Sequence, residues 1–207
     1  MPRKSIVTRT GDGGETGLLY GGRVSKADPR TEAYGSTDEA ISALGAARAL
    51  VSDRARHAII LRLQSELFTV GAELATDAAE LANLEKHFLV VTPEFTARVE
   101  KEIAELEATV RLPDAFVIPG GTPAGAALDV ARTVLRRAER RIVALRGAEI
   151  AVSAELLRYV NRLSDLVFML ARAEEGAAIK PLTGRRVART PAAPARTPPA
   201  PRGRSRG

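Results

Sequence analysis

The sequence predicts an all-α protein: a five-helix bundle over residues 1–180, followed by a basic tail over 181–207. Three observations lead there. Five segments repeat apolar residues at every third or fourth position. Two of them open on Thr-Pro, a capping residue followed by the imino acid that suits the first helical position. The links between segments are short, as between neighbours in one bundle. No internal repeat and no second domain is visible in the 207 residues.

The first helix is expected over 36–51, where Ser36 and Thr37 offer caps ahead of acids and Ile41, Leu44 and Ala47 share one stripe. The second covers roughly 53–78, with Ile60, Leu63, Leu67, Val70 and Leu74 at spacings of three and four. Thr92-Pro93 opens the third, whose apolar positions are Phe95, Val99, Ile103, Leu106 and Val110. Thr122-Pro123 opens the fourth, which ends near Gly147. The fifth runs from about Ser153 to Glu174 on Leu156, Val160, Leu163, Val167 and Leu170.

Composition narrows the chemistry. Cysteine is absent, which excludes thiolate metal sites, disulfides and cysteine nucleophiles. The two histidines, His57 and His87, are too few for a multi-histidine metal centre in one subunit. MPRKSIVTRT lacks the apolar stretch of a signal peptide, and no run of the roughly 18 apolar residues of a membrane span occurs. A soluble, cytoplasmic protein without a membrane partner is expected. The formal net charge is +6, but seven arginines and no acid lie beyond Lys180, which leaves −1 on residues 1–180. Six of the twelve prolines lie in the same tail. With almost no large apolar side chain, the tail is expected to stay disordered and solvated. Nucleic acid is therefore not the expected partner of the folded part.

Ahead of the helices, residues 8–17 read TRTGDGGETG. Gly11, Gly13, Gly14 and Gly17 can turn N–H groups toward one point, as an anion-binding nest requires. Thr8, Thr10 and Thr16 add hydroxyls and Arg9 adds a cation. A triphosphate suits such a loop. A plain turn joining Ile6-Val7 to Leu18-Leu19-Tyr20 suits the same residues. No Gly-Lys-Ser/Thr closes it, so it is not a Walker A loop. GGRVSKADPR follows as an expected irregular segment carrying Arg23, Lys26 and Arg30.

On the fourth helix, ARTVLRRAERR sets Arg132, Arg136 and Glu139 within about 60° of one another, with Arg140 beside them. The row flanks the apolar stripe of Leu128, Ala131, Leu135 and Ile142. Two arginines one turn apart repel unless a carboxylate or an anion lies between them. Glu139, a salt bridge to Asp38 on another helix, or a ligand phosphate would each serve. The fifth helix carries Asn161, Asp165 and Phe168 away from its stripe, a mixed set that points to a second contact. FVIPGGTP presents Phe116 and Ile118 on a short extended segment before the fourth helix.

Taken together, TRTGDGGETGL, GGRVSKADPRTEAYGSTDEAISALG, FVIPGGT, ARTVLRRAERR and YVNRLSDLVFMLAR resemble the PduO-type ATP:cob(I)alamin adenosyltransferase family over about residues 5–175. The resemblance implies a homotrimer with active sites between subunits. It implies that the cobalt(I) of a reduced corrinoid, cob(I)alamin, attacks C5′ of ATP, forming adenosylcobalamin and expelling triphosphate. Thr8, Arg9, Thr10, Gly11, Gly13 and Gly14 match the family's phosphate-binding motif, with Lys26 reaching in. By the same resemblance Arg136 approaches the triphosphate, Glu139 the adenosine, and Arg140 and Asn161 belong to the nucleotide site. Arg132 pairs with Asp38 across the subunit boundary. Phe116 packs beneath the corrin ring and keeps the lower cobalt face free of ligand. Mg2+ is expected on phosphate oxygens and water, with no side-chain ligand. A reductase and an adenosylcobalamin-dependent enzyme are the further partners considered. Two other classes fit the bare residues: a bundle enzyme that transfers a phosphoryl group and releases ADP, and a non-catalytic corrinoid-binding or delivery protein.

Overall fold

A computed structural model describes Val7 and residues 9–182; Thr8 and the tail from 183 lie outside the described residues. Helix α1 spans Pro29–Arg48, α2 Arg54–Leu74, α3 the single turn Leu81–Leu84, α4 Pro93–Thr109, α5 Pro123–Gly147 and α6 Ala154–Glu175. The five long helices are those expected, with changed ends. α1 starts at Pro29, because the Asp-Pro pair is the stronger signal. Asp28 Oδ1 accepts from Arg30 N–H at 2.8 Å and Pro29 needs no N–H of its own. The supposed caps Ser36 and Thr37 are buried within the helix, where their hydroxyls donate to the Glu32 and Tyr34 carbonyls at 2.8 and 2.6 Å. α2 ends at Leu74, short of 78.

Other ends behave as their residues dictate. Asp53, Thr122 and Ser153 accept from the N–H groups of Arg56, Gly125 and Leu156 at 2.8, 3.0 and 3.0 Å. Gly176 stops α6 at φ +50°, a conformation that suits glycine.

α1 packs on α2 and α5, α5 on α6, and α4 on α6. The pairs Arg137–Glu39 and Arg141–Glu32 set α5 antiparallel to α1, and Asn161–Glu139 with Arg172–Asp129 set it antiparallel to α6. Between the helices lie Leu44, Ile60, Leu63, Leu67, Leu128, Leu135, Ile142 and Leu163, all at 0 % exposure. Each such side chain contributes about 1.5–3 kcal/mol relative to exposure.

A polar hub pierces this core. Glu66 of α2 accepts from Tyr159 Oη of α6 at 2.5 Å and pairs with Arg62 and with Arg98 of α4. It ties three helices by charge-assisted bonds.

Two short antiparallel ladders sit at the ends: β1 (Glu15–Gly17) with β2 (Arg23–Ser25), and β3 (Val117–Ile118) with β4 (Lys180–Pro181). Among the described residues no helix is long and apolar enough to cross a membrane.

Candidate active site

The glycine-rich segment leads into the β1–β2 hairpin, and that hairpin is docked on the end of α2. Leu19 N–H donates to the Ala75 carbonyl at 2.8 Å, and Asp77 N–H to that of Tyr20 at 2.9 Å. Lys26 lies across the loop and donates from Nζ to the Gly11 carbonyl at 2.8 Å. A Cβ on Gly11 would stand 3.0 Å from that ammonium, so glycine makes room for the lysine. Arg23 Nη2 donates to the Thr10 carbonyl at 2.7 Å. Arg9 has φ +57° and Gly14 φ +83°. Left-handed residues of this kind let a chain reverse so that its N–H groups converge. Arg9, Thr10, Gly13 and Gly14 are exposed, and Gly11 is half-buried.

The second group occupies the seam between α5 and α6. Asn161 Nδ2 donates to Glu139 Oε1 at 2.9 Å, joining the two helices. Asn161 Oδ1 in turn accepts from Arg162 Nη1 at 3.0 Å, which fixes its amide. Two turns along, Arg132 Nε donates to Asp129 Oδ1 at 3.0 Å and the guanidinium lies 5.9 Å from the Phe168 ring centroid. Asp165 projects from α6 beside this row. Burial pushes its carboxyl above the ordinary value, opposed by Arg162 and Arg136 and reinforced by Glu139. Arg136 and Arg140 are exposed and make no hydrogen bond or ion pair among the described residues. The mixed set Asn161, Asp165, Phe168 is thus explained in part: it faces the charged row of α5.

Phe116 stands at the far end, 62 % exposed. Its carbonyl accepts from Leu182 N–H at 2.7 Å, continuing the β3–β4 ladder. Leu112, Ile118 and Leu182 are also well exposed, so an apolar surface flanks the ring. A cleft of about 340 Å³ between α4 and α6 is lined by Leu112, Asp165, Phe168 and Met169.

Asp38 lies on the outer face of α1. It borders a larger groove of about 590 Å³ with Tyr34, Phe68, His87, Phe88 and Leu89. Within one chain its expected partner Arg132 is bound to Asp129 instead. The expected site residues therefore fall on separate elements: the loop and Lys26 at the hairpin, Asp38 on α1, the row on α5 with Asn161 on α6, and Phe116 before β3.

The family model described as Cobalamin adenosyltransferase matches residues 6–174, which take in all of these elements. The chain belongs to the cobalamin adenosyltransferase family. It is 42 % identical over 170 residues to a corrinoid adenosyltransferase of Citrobacter freundii, covering 82 % of this chain and 94 % of that one. It is 40 % identical over 171 residues to the corrinoid adenosyltransferase PduO of Salmonella typhimurium, covering 83 % of this chain. The match spans about half of that relative, 50 % of its length. Among solved structures, a variant PduO-type ATP:corrinoid adenosyltransferase from Lactobacillus reuteri, complexed with cobalamin and ATP, superposes with a TM-score of 0.78. That protein is 32 % identical, and the match covers 87 % of this chain and all of the other.

For this cobalamin adenosyltransferase family member, the residues missed from sequence are Asp129, Arg172 and Glu175. Arg172 pairs with Asp129 beneath the α5–α6 seam and stacks 5.0 Å from the Phe168 centroid. The signal was available: Arg172 follows Phe168 by four residues and Asp165 by seven, so helical spacing puts it on the same mixed face of α6.

Proposed function

We propose that the chain is an ATP:corrinoid adenosyltransferase that moves the 5′-deoxyadenosyl group of ATP to the cobalt(I) of a reduced corrinoid. The cobalt electron pair forms the Co–C5′ bond, the C5′–O bond breaks, and triphosphate leaves with that electron pair. Catalysis then needs preorganised donors where negative charge grows. The carrying observation is the α5–α6 seam: Arg132, Glu139 and Asn161 are engaged, while Arg136, in the same row, makes no hydrogen bond or ion pair among the described residues and lies within electrostatic reach of Asp165. An exposed guanidinium beside a satisfied asparagine–glutamate pair suits a triphosphate next to a nucleoside. Names and complexes of the relatives support the same substrates.

The separation of the site residues supports a site shared between copies of the chain. In a homotrimer the glycine-rich loop and Lys26 of one subunit would meet the α5 row of the next, and Asp38 would reach Arg132. Arg132 is suited to this, since among the described residues its Nε alone makes a hydrogen bond, which leaves both terminal amino groups for a partner. Phe116 would pack beneath the corrin, where exclusion of a lower ligand removes electron donation into cobalt and eases reduction to cobalt(I). Mg2+ would arrive on the phosphate oxygens with water. Among the described residues no group of three or more acids or histidines is placed to hold it alone. The cytoplasm, with a reductase to supply cobalt(I), is the setting this chemistry fits.

The test is the ultraviolet–visible spectrum of reduced cobalamin mixed with the protein and MgATP. A photolabile alkylcobalamin together with intact triphosphate supports adenosyl transfer. Release of ADP would point to phosphoryl transfer, and binding without product to a carrier.

A further inference from the structure

We propose that Asp129, Arg172 and Glu175 form a buried electrostatic link that positions Arg132 at one end and the Phe116 strand at the other. The significance of the two ends rests on the adenosyl-transfer reading above. Arg172 of α6 is 1 % exposed. A guanidinium does not shed its proton, so burial obliges it to find carboxylates. It has two. Asp129 of α5 pairs with Arg172 Nη2 through Oδ2, and Glu175 Oε2 lies 3.2 Å from Arg172 Nε. Both acids are themselves buried, at 4 % exposure.

Each carboxylate has a second duty. Asp129 Oδ1 accepts from Arg132 Nε at 3.0 Å, so one acid is shared between a buried and a half-buried guanidinium. That fixes Arg132 by Nε and directs its terminal amino groups elsewhere. Glu175 Oε1 accepts from Gly121 N–H at 2.9 Å and Gly120 N–H at 3.3 Å, the turn that follows Phe116–Pro119. Only glycine fits here. A Cβ at Gly121 would stand 2.6 Å from the Ala178 carbonyl oxygen, and one at Gly125 2.6 Å from Glu175 Cγ.

The link therefore runs from the Gly120–Gly121 turn through Glu175, Arg172 and Asp129 to Arg132, with two cations and two anions. Arg172 Nε and Glu175 Oε2 are buried and in ion-pair contact, yet not aligned as a hydrogen bond. The other oxygen of that carboxylate holds the turn, so Glu175 joins the guanidinium to the backbone that follows Phe116. Lying beneath the seam, the three are positioning residues.

The test uses the full chain with two variants that keep shape and an acceptor oxygen, Glu175→Gln and Asp129→Asn, each with a thermal melt. Kd is measured separately for MgATP and for oxidised cobalamin, and KM and kcat for the reaction. Glu175→Gln should weaken the corrinoid side about tenfold and leave ATP within about twofold, since a slight misplacement of a positioned group is costly. Asp129→Asn should weaken the ATP side about tenfold, and in kcat for the full reaction, which both variants lower, the double variant should fall short of the product of the singles because both act through Arg172. Lower melting with unchanged Kd and KM for both substrates would reduce the three residues to a structural role and overturn the link. Wild-type protein that forms no alkylcobalamin would instead sink the adenosyl-transfer reading, while the two Kd values would still report on the link.

Discussion

Arg136→Ala is the substitution whose two effects the geometry separates most sharply. The side chain is exposed and makes no hydrogen bond or ion pair among the described residues, so truncation breaks no such bond there and removes only its pull on Asp165. Stability should stay within about 0.5 kcal/mol of wild type. The Asn161–Glu139 bond at 2.9 Å should also persist, so the nucleoside side of the seam keeps its shape. If Arg136 meets the leaving triphosphate, turnover loses one donor to developing charge, about 100-fold or about 2.7 kcal/mol of transition-state stabilisation. Arg132→Ala is the contrast. It removes the 3.0 Å bond to Asp129 and the contact with Phe168, and should cost about 1–3 kcal/mol of stability. For a chain of this size each kcal/mol is about 2–4 °C in Tm. Single-turnover formation of the alkyl product, a melting curve and sedimentation of the assembly measure the three quantities. Arg136→Ala that melts several degrees lower yet turns over normally would refute the assignment. So would Arg132→Ala with native stability and assembly and only a loss of turnover, which would place both arginines on the phosphate.

Three further outcomes follow from the packing. Tyr159→Phe deletes the hydroxyl that donates to Glu66 at 2.5 Å and should lower stability by about 1.5–3 kcal/mol in urea unfolding, toward the lower end because Arg62 and Arg98 remain on the carboxylate. Burial raises the Glu73 carboxyl above its ordinary value, with Glu85 adding and the Val91 N–H bond opposing. The folded state thus holds this proton more tightly, and its contribution is present at low pH and lost as pH rises through the folded value. Glu73→Gln, which keeps the acceptor for Val91, should raise the urea midpoint near neutral pH, with the gain fading as the solution is acidified below the carboxylate range. Gly125→Ala would drive a Cβ to 2.6 Å from Glu175 Cγ and should cost about 1–3 kcal/mol by overpacking, read from the same unfolding curves.

What the chain alone determined was the set of long helices and the chemistry of each short motif. Periodicity and the Thr-Pro signals act over a few residues, so α2, α4, α5 and α6 were legible to within a few positions. The row Arg132, Arg136, Glu139 was legible for the same reason, since helical spacing fixes which side chains share a face. The start of α1 was missed because Ser36 and Thr37 look like caps, whereas their hydroxyls bond back within a helix already begun at Asp28–Pro29. Tertiary structure decided which partners the charges take. Asp129 keeps Arg132 three residues on in its own helix, but its other oxygen takes Arg172 only because α6 brings that guanidinium there, and Glu175 turns to the Gly120–Gly121 turn because α6 runs antiparallel to α5. Spacing along a helix sets direction but not what the neighbouring helix presents there. That depends on register between segments distant in sequence, and only packing of the apolar stripes settles it.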